Sequence, residues 1–141
     1  MKLLRGILLV ALLAPGWAAA QVDEATSRLR LGDVERGRLA FGPCRTCHYP
    51  DAIMGHNNGP NLSGIFGMVA GKQAGFEYYS EEFKQARFVW TPQLMYAWLE
   101  NPMKMFPGSS MMSLGVADEQ VRADLIAYLM QATARDQTAK P

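Results

Sequence analysis

Cys44-Arg45-Thr46-Cys47-His48 is the run of this 141-residue chain whose residue types and spacing point most directly to chemistry. Two thiols three positions apart lie on one side of a helical turn. Each can add to one vinyl group on the same edge of a porphyrin, and the adjacent His48 then presents an imidazole to the iron. A C-x-x-C-H run is the signature of covalent c-type haem attachment. A redox dithiol of the thioredoxin kind follows a strand in a βαβ unit, and no such pattern surrounds these residues. A zinc site needs more ligands than the chain offers, because it has two cysteines and its other histidine, His56, stands alone in a loop. Haem iron with His48 on one face has a sixth position on the other. A methionine there favours the ferrous state, because a thioether is neutral. The run Pro107-Gly108-Ser109-Ser110-Met111-Met112 offers Met111, although position alone does not separate it from Met112. The chain has nine methionines, and gap-filling in a core is the ordinary use of that residue.

The elements that must position these groups read as helices and long loops. Asp33 is placed as an N-cap with Glu35 in the first turn. Val34, Gly37, Ala40 and Phe41 follow at near-helical spacing. The pattern predicts a first helix running to about Cys44-Arg45 and ending near Cys47-His48. Residues 49–76 form a glycine-rich loop, longer than a compact domain keeps unless it wraps something. Ser80 to Arg87 reads as a short helix. Thr91 caps another, with Pro92 at its first position and Asn101-Pro102 at its end. Lys104 to Gly115 reads as a second long loop. Asp118 opens the last helix, on which Val121, Leu125, Tyr128 and Leu129 form an apolar stripe with Gln120, Arg122 and Gln131 off it. No segment alternates as a strand would. The fold class expected is all-α, with about four helices.

Composition bounds the rest. Lys and Arg number 14 against 13 Asp and Glu, a net charge of +1, which excludes a strongly basic nucleic-acid binder. Residues 1–20 read as a signal peptide. Met1-Lys2-Leu3-Leu4-Arg5 is a short positive start, Gly6 to Ala14 is apolar, and Ala18-Ala19-Ala20 is a small-residue cleavage pattern. The apolar run is shorter than the roughly 20 residues of a membrane span and is interrupted by Pro15-Gly16. Cleavage after Ala20 removes Lys2 and Arg5 and leaves a net charge of −1. Residues 21–31 read as a loose lead-in, 32–132 as the folded domain and 133–141 as a frayed polar tail. The expected location is a bacterial periplasm.

Taken together, these motifs resemble a class I cytochrome c of the mitochondrial and bacterial short-chain type. Gly32 to Gly37 with Phe41 resembles the family's first helix. Gly59-Pro60-Asn61-Leu62-Ser63-Gly64-Ile65-Phe66-Gly67 resembles its proximal loop. Ala74-Gly75-Phe76-Glu77-Tyr78 and Trp90 resemble its propionate-side segment. Leu99-Glu100-Asn101-Pro102, Pro107 to Met111 and Gly115 resemble its methionine-ligand region. Asp124 to Leu129 resembles its last helix. The resemblance runs in order from residue 32 to 130.

It implies one haem c bound through Cys44 and Cys47, with His48 and Met111 as the axial ligands. It implies that the Pro60 carbonyl accepts a hydrogen bond from the second nitrogen of His48, and that Tyr78 and Trp90 bond a propionate. His56 is implied to pin loops rather than to bind iron. Gly37 is implied to let the first and last helices touch. Leu62, Ile65, Leu94, Leu99, Leu125 and Leu129 are implied to wall the haem. Four departures stand out: Met68 replaces a common arginine, Ser113 replaces an aromatic, the segment between Phe41 and Cys44 is one residue shorter than in the mitochondrial type, and Tyr78 to Trp90 is about one residue longer. Pro43, Asn57, Met103 and Ser110 fall where many members carry lysines. A weakly salt-dependent docking face is therefore expected, with Met103 and either Met105 or Phe106 on its rim.

The function implied is one-electron transfer, taking electrons from a periplasmic dehydrogenase and passing them to a terminal oxidase or another cytochrome. No side-chain set suggests catalysis, so no enzyme activity is expected. The alternatives are a haem enzyme or ligand sensor with a labile sixth position, or a fixed electron-accepting subunit of one dehydrogenase.

Overall fold

The computed structural model describes Ser27, Leu29 and residues 32–138. The expected signal segment 1–20 lies outside the described residues, as does most of the lead-in. Ser27 and Leu29 themselves are helical, and Leu29 packs against the core.

Helix α1 spans Val34–Ala40 and begins where Asp33 accepts the Arg36 N–H at 2.8 Å. It is shorter than the expected helix to Cys44-Arg45. Pro43 has no N–H to donate, and its ring crowds the preceding turn, so the chain leaves α1 at Phe41 and tightens into a 3-10 turn, Pro43–Thr46. The two cysteines therefore sit on that turn and its exit. Helix α2 is short, Glu81–Gln85. Helix α3, Pro92–Glu100, starts as expected, with the Thr91 hydroxyl accepting the Leu94 N–H at 3.1 Å. Asn101-Pro102 ends α3 but also opens α4, Pro102–Met105. The Asn101 side chain caps it by accepting the Lys104 N–H, so the second loop is shorter than expected. Helix α5, Glu119–Thr138, is opened by the Asp118 carboxylate on the Val121 N–H, 2.9 Å. It does not fray at Thr133, which is buried. Ala132 and Ala134 favour helix there, and Arg135 reaches back to Gln131 at 2.6 Å.

The termini of the domain meet. Helix α1 lies across α5 at Gly37, where any Cβ would run into the Asp124 carbonyl and the Tyr128 side chain. Phe41 and Tyr128 pack beside it with ring centroids 5.4 Å apart. The Asp124 carboxylate, 4% exposed, knots the crossing. It accepts the Asp33 N–H at 2.7 Å, two Arg36 N–H groups at 2.8 and 2.9 Å, and the Gln120 amide at 2.9 Å. Those donors, Arg36 first, hold its pKa down to about 2. Arg122, expected off the apolar face, is instead buried. Its guanidinium donates to the Val116 and Ala117 carbonyls at 2.7 and 2.8 Å and lies over the Tyr96 ring. A buried cation is tolerable only with such partners.

Two apolar clusters result. One contains Phe41, Leu125, Tyr128 and Leu129, with Cys44 packed against it. The other is aromatic and centres on Phe83, Trp90 and Trp98, with Phe106 and Met111 against it. Among the described residues the only β-type pairing is an isolated bridge, Val69 to Val89.

Candidate functional site

A cleft of about 700 Å³ separates the two clusters. Apolar side chains from both line it, and no Lys, Arg, Asp or Glu is among its described lining residues. Five of the six expected wall leucines and isoleucines line it: Leu62, Ile65, Leu99, Leu125 and Leu129. Leu94 does not, and it packs behind the aromatic cluster instead.

On one wall, the turn after α1 brings Cys44, Cys47 and His48 to the cleft together. Both thiols are free and half-buried, and burial pushes the Cys44 thiol pKa up. His48 Nδ1–H donates to the Pro60 carbonyl at 2.7 Å. That bond fixes the tautomer and leaves the Nε2 lone pair open. Burial lowers the pKa of this imidazole, which also favours its neutral, ligand-competent form. Gly59 is buried against the imidazole, and a Cβ there would strike the ring. The ring is thus held by a hydrogen bond at its edge and by bare backbone on its face. His56 holds the same loop from outside. Its Nδ1 accepts the Asn61 N–H at 3.0 Å, and its Nε2–H donates to the Ala74 carbonyl at 2.9 Å.

Met111 lines the cleft from the other side, half-buried against the aromatic cluster. The Ser109 hydroxyl accepts its N–H at 3.1 Å, and the Ser113 hydroxyl accepts the Gly115 N–H at 3.1 Å. Gly115 closes the loop with φ +89° while pressed against the Glu100 carbonyl, a conformation and a fit that suit glycine alone. Met112, next in the chain, is 100% exposed. Both thioethers line the cleft, Met111 half-buried against the aromatic cluster and Met112 fully in solvent.

The tyrosine expected at the propionate is displaced by one. Tyr78 is 81% exposed and is not among the cleft-lining residues, whereas Tyr79 lines the cleft with Trp90. Phe76 packs edge-on against both, 4.9 Å from Tyr79 and 5.8 Å from Tyr78, but Tyr79 also packs against Phe83 of the aromatic cluster, 6.1 Å away, which holds it on the inner side. The extra residue between Tyr78 and Trp90 was the available signal, because counting from Tyr79 removes it. Burial raises the Tyr79 hydroxyl pKa, so it stays a donor. Nearby in sequence, Gln73 Oε1 and Ser80 Oγ are buried without a partner among the described residues. Trp98 was not singled out from sequence, yet it is 3% exposed and lines the cleft beside Met95. Helical spacing marks it only as core.

A haem fits these residues. The cleft has two apolar walls, two thiols with an imidazole on one side and a thioether on the other. One orphaned buried hydroxyl, Ser80 Oγ, next in sequence to the cleft-lining Tyr79, is a donor of the kind that a carboxylate-bearing ring edge satisfies. No protein-family model matches the chain. It is 46% identical over 104 residues to a cytochrome c of Chlamydomonas reinhardtii, covering 73% of this chain and 92% of that protein. It is 42% identical over 104 residues to a cytochrome c of Sesamum indicum, covering 73% and 93%. Among solved structures, cytochrome cH from Methylobacterium extorquens superposes with a TM-score of 0.65 at 34% identity. The match covers 71% of this chain and 99% of that one.

Proposed function

The chain belongs to the class I cytochrome c family and is an electron carrier with one covalent haem c, and from that premise we propose that it shuttles single electrons between redox proteins of a bacterial periplasm. The donor in this reading is a periplasmic dehydrogenase, and the acceptor is a terminal oxidase or another cytochrome. Residues 1–20 serve as a cleaved export signal. Among the described residues no helix is long and apolar enough to cross a membrane.

Cys44 and Cys47 carry the haem through thioethers. His48 Nε2 and the Met111 sulfur would hold its iron. Tyr79 and Trp90 donate to a propionate, with Ser80 and Gln73 close in sequence. When bound, the haem supplies reversible one-electron chemistry at iron, and the protein decides how readily. The Pro60 carbonyl draws on the Nδ1 proton of His48 and makes Nε2 a stronger donor. The neutral Met111 thioether biases toward the ferrous state. The apolar walls keep water from the ring. The observation that carries this reading is the single uncharged cleft onto which Cys44, Cys47, His48 and Met111 converge. The titratable groups among the described lining residues, Cys44, Cys47, His48 and Tyr79, all have haem-binding roles in this reading.

The test is direct. Mass spectrometry of the denatured mature chain is expected to show one haem added. Met111→Ala is expected to abolish the sulfur-to-iron charge-transfer band and lower the reduction potential, while Met112→Ala retains the band. An apoprotein mass, or the reverse outcome for the two methionines, overturns the assignment.

A further inference from the structure

The exposed residues among those lining the cleft define its mouth: Pro43, Asn58, Ser110, Met112 and Leu114. None carries a charge. Met112 and Leu114 are 100% and 99% exposed, so two apolar side chains stand fully in solvent at this mouth. The expected rim residues behave differently. Met105 and Phe106 are half-buried against the aromatic cluster, and only Met103 is partly exposed, at 42%. Nearby cations do not restore a field at the mouth. Arg45 turns away, donating to the Tyr128 hydroxyl at 3.1 Å and lying over Phe41. Lys104, on α4, is not among the cleft-lining residues.

We propose that Met112 and Leu114 form an apolar docking pair at the cleft mouth, for a redox partner whose own docking face is uncharged and apolar. This rests on the carrier reading, because an electron leaving a group held in the cleft has its shortest path through that mouth. Two exposed apolar side chains flanked by short polar ones fit a partner surface without charge. A charged face would lose hydration there and gain no counter-charge. Selection is then by fit. The Ser109 and Ser113 hydroxyls brace the backbone on either side of Met111, so what is left to order on contact is the two side chains themselves.

Alkanethiol monolayers of defined headgroup serve as the partner surface. The holoprotein's adsorption is read by surface plasmon resonance, and its electron exchange by voltammetry on the same layers. Adsorption and exchange are expected on a mixed methyl and hydroxyl layer. Both should change less than about twofold between low and high salt, since there is little charge to screen. The pair Met112→Gln with Leu114→Gln is expected to weaken adsorption there about tenfold, and Leu114→Gln alone by part of that. Leu114→Lys is expected to move the preference to a carboxylate layer and to introduce salt dependence. Stronger, salt-sensitive adsorption of the wild-type protein on a carboxylate or ammonium layer overturns the proposal. So does unchanged adsorption of both glutamine variants. Failure of the carrier reading looks different: the haem would then not cycle reversibly with ferricyanide and dithionite in free solution, whatever the surface.

Discussion

Where α1 crosses α5, Gly37 seats one backbone on the other, and a single buried carboxylate, Asp124, gathers four donors. Away from the crossing, loop 49–76 and the Met111 loop have turns instead of long helices, and the aromatic cluster of Phe83, Trp90 and Trp98 faces the cleft. The first region is protein packed on protein. The second is protein packed around a space. The difference teaches that the two walls depend differently on the cofactor: the crossing has its partners within the chain, and the loop wall lacks them on one side.

The largest test of that contrast removes the attachment. Cys44→Ala with Cys47→Ala is expected to abolish cooperative unfolding and the near-ultraviolet signal of the Trp90–Trp98 cluster. Far-ultraviolet circular dichroism should retain part of the helix signal, from α1 and α5. A fully cooperative transition in the double variant would show that the loop wall stands alone.

Gly37→Ala attacks the other region. A methyl there meets the Asp124 backbone and Tyr128 rather than a flexible tip. Overpacking of this kind costs about 3 kcal/mol. Denaturant midpoints measure it, and the reduction potential is expected to stay close to wild type, because the crossing stands behind the wall and not at the iron.

Much of the crossing was legible in sequence. The Asp33 cap and the Val121–Leu129 stripe are local patterns with fixed helical spacing, and the Gly37 contact came with the family resemblance. The cysteines and His48 were legible because their spacing is itself the chemistry. The loop wall was harder. Whether Tyr78 or Tyr79 turns inward depends on which one reaches Phe83 of the aromatic cluster, and in their non-helical segment neither the 3.6-residue nor the 2-residue period applies. Arg122 looked like a surface residue because its partners are the Val116 and Ala117 carbonyls, and backbone groups leave no mark in the sequence. Pro43 was the one breaker passed over when α1 was extended to the cysteines.

His56→Ala sharpens the comparison on the loop side. It deletes both bonds that tie Asn61 to Ala74. The expected loss is about 1–2 kcal/mol, with hydrogen exchange accelerating in loop 56–75 before it does so in α5. Equal acceleration in both regions would deny that they are separate units.

Acid gives the smallest effect. Asp124 titrates at about 2 in the folded protein against 3.8 ordinarily. Its contribution is therefore complete above the ordinary value and is lost as pH falls toward 2. Because Arg36 is 57% exposed and water screens it, the stabilisation at stake is about 1 kcal/mol. Thermal melts between pH 5 and pH 2 are expected to show that slope in the wild-type protein and a shallower one in Asp124→Asn.

The crossing also sets an order in time. Arg36 and Asp124 are 88 positions apart, and the haem-attachment run lies between them. Closing so long a loop is slow, because entropy is lost before any contact repays it. A chain delivered from its N-terminus presents Cys44 and Cys47 long before α5 exists to pack behind them. The thiols thus meet the solvent, and any machinery in it, while the wall that will bury them has yet to arrive.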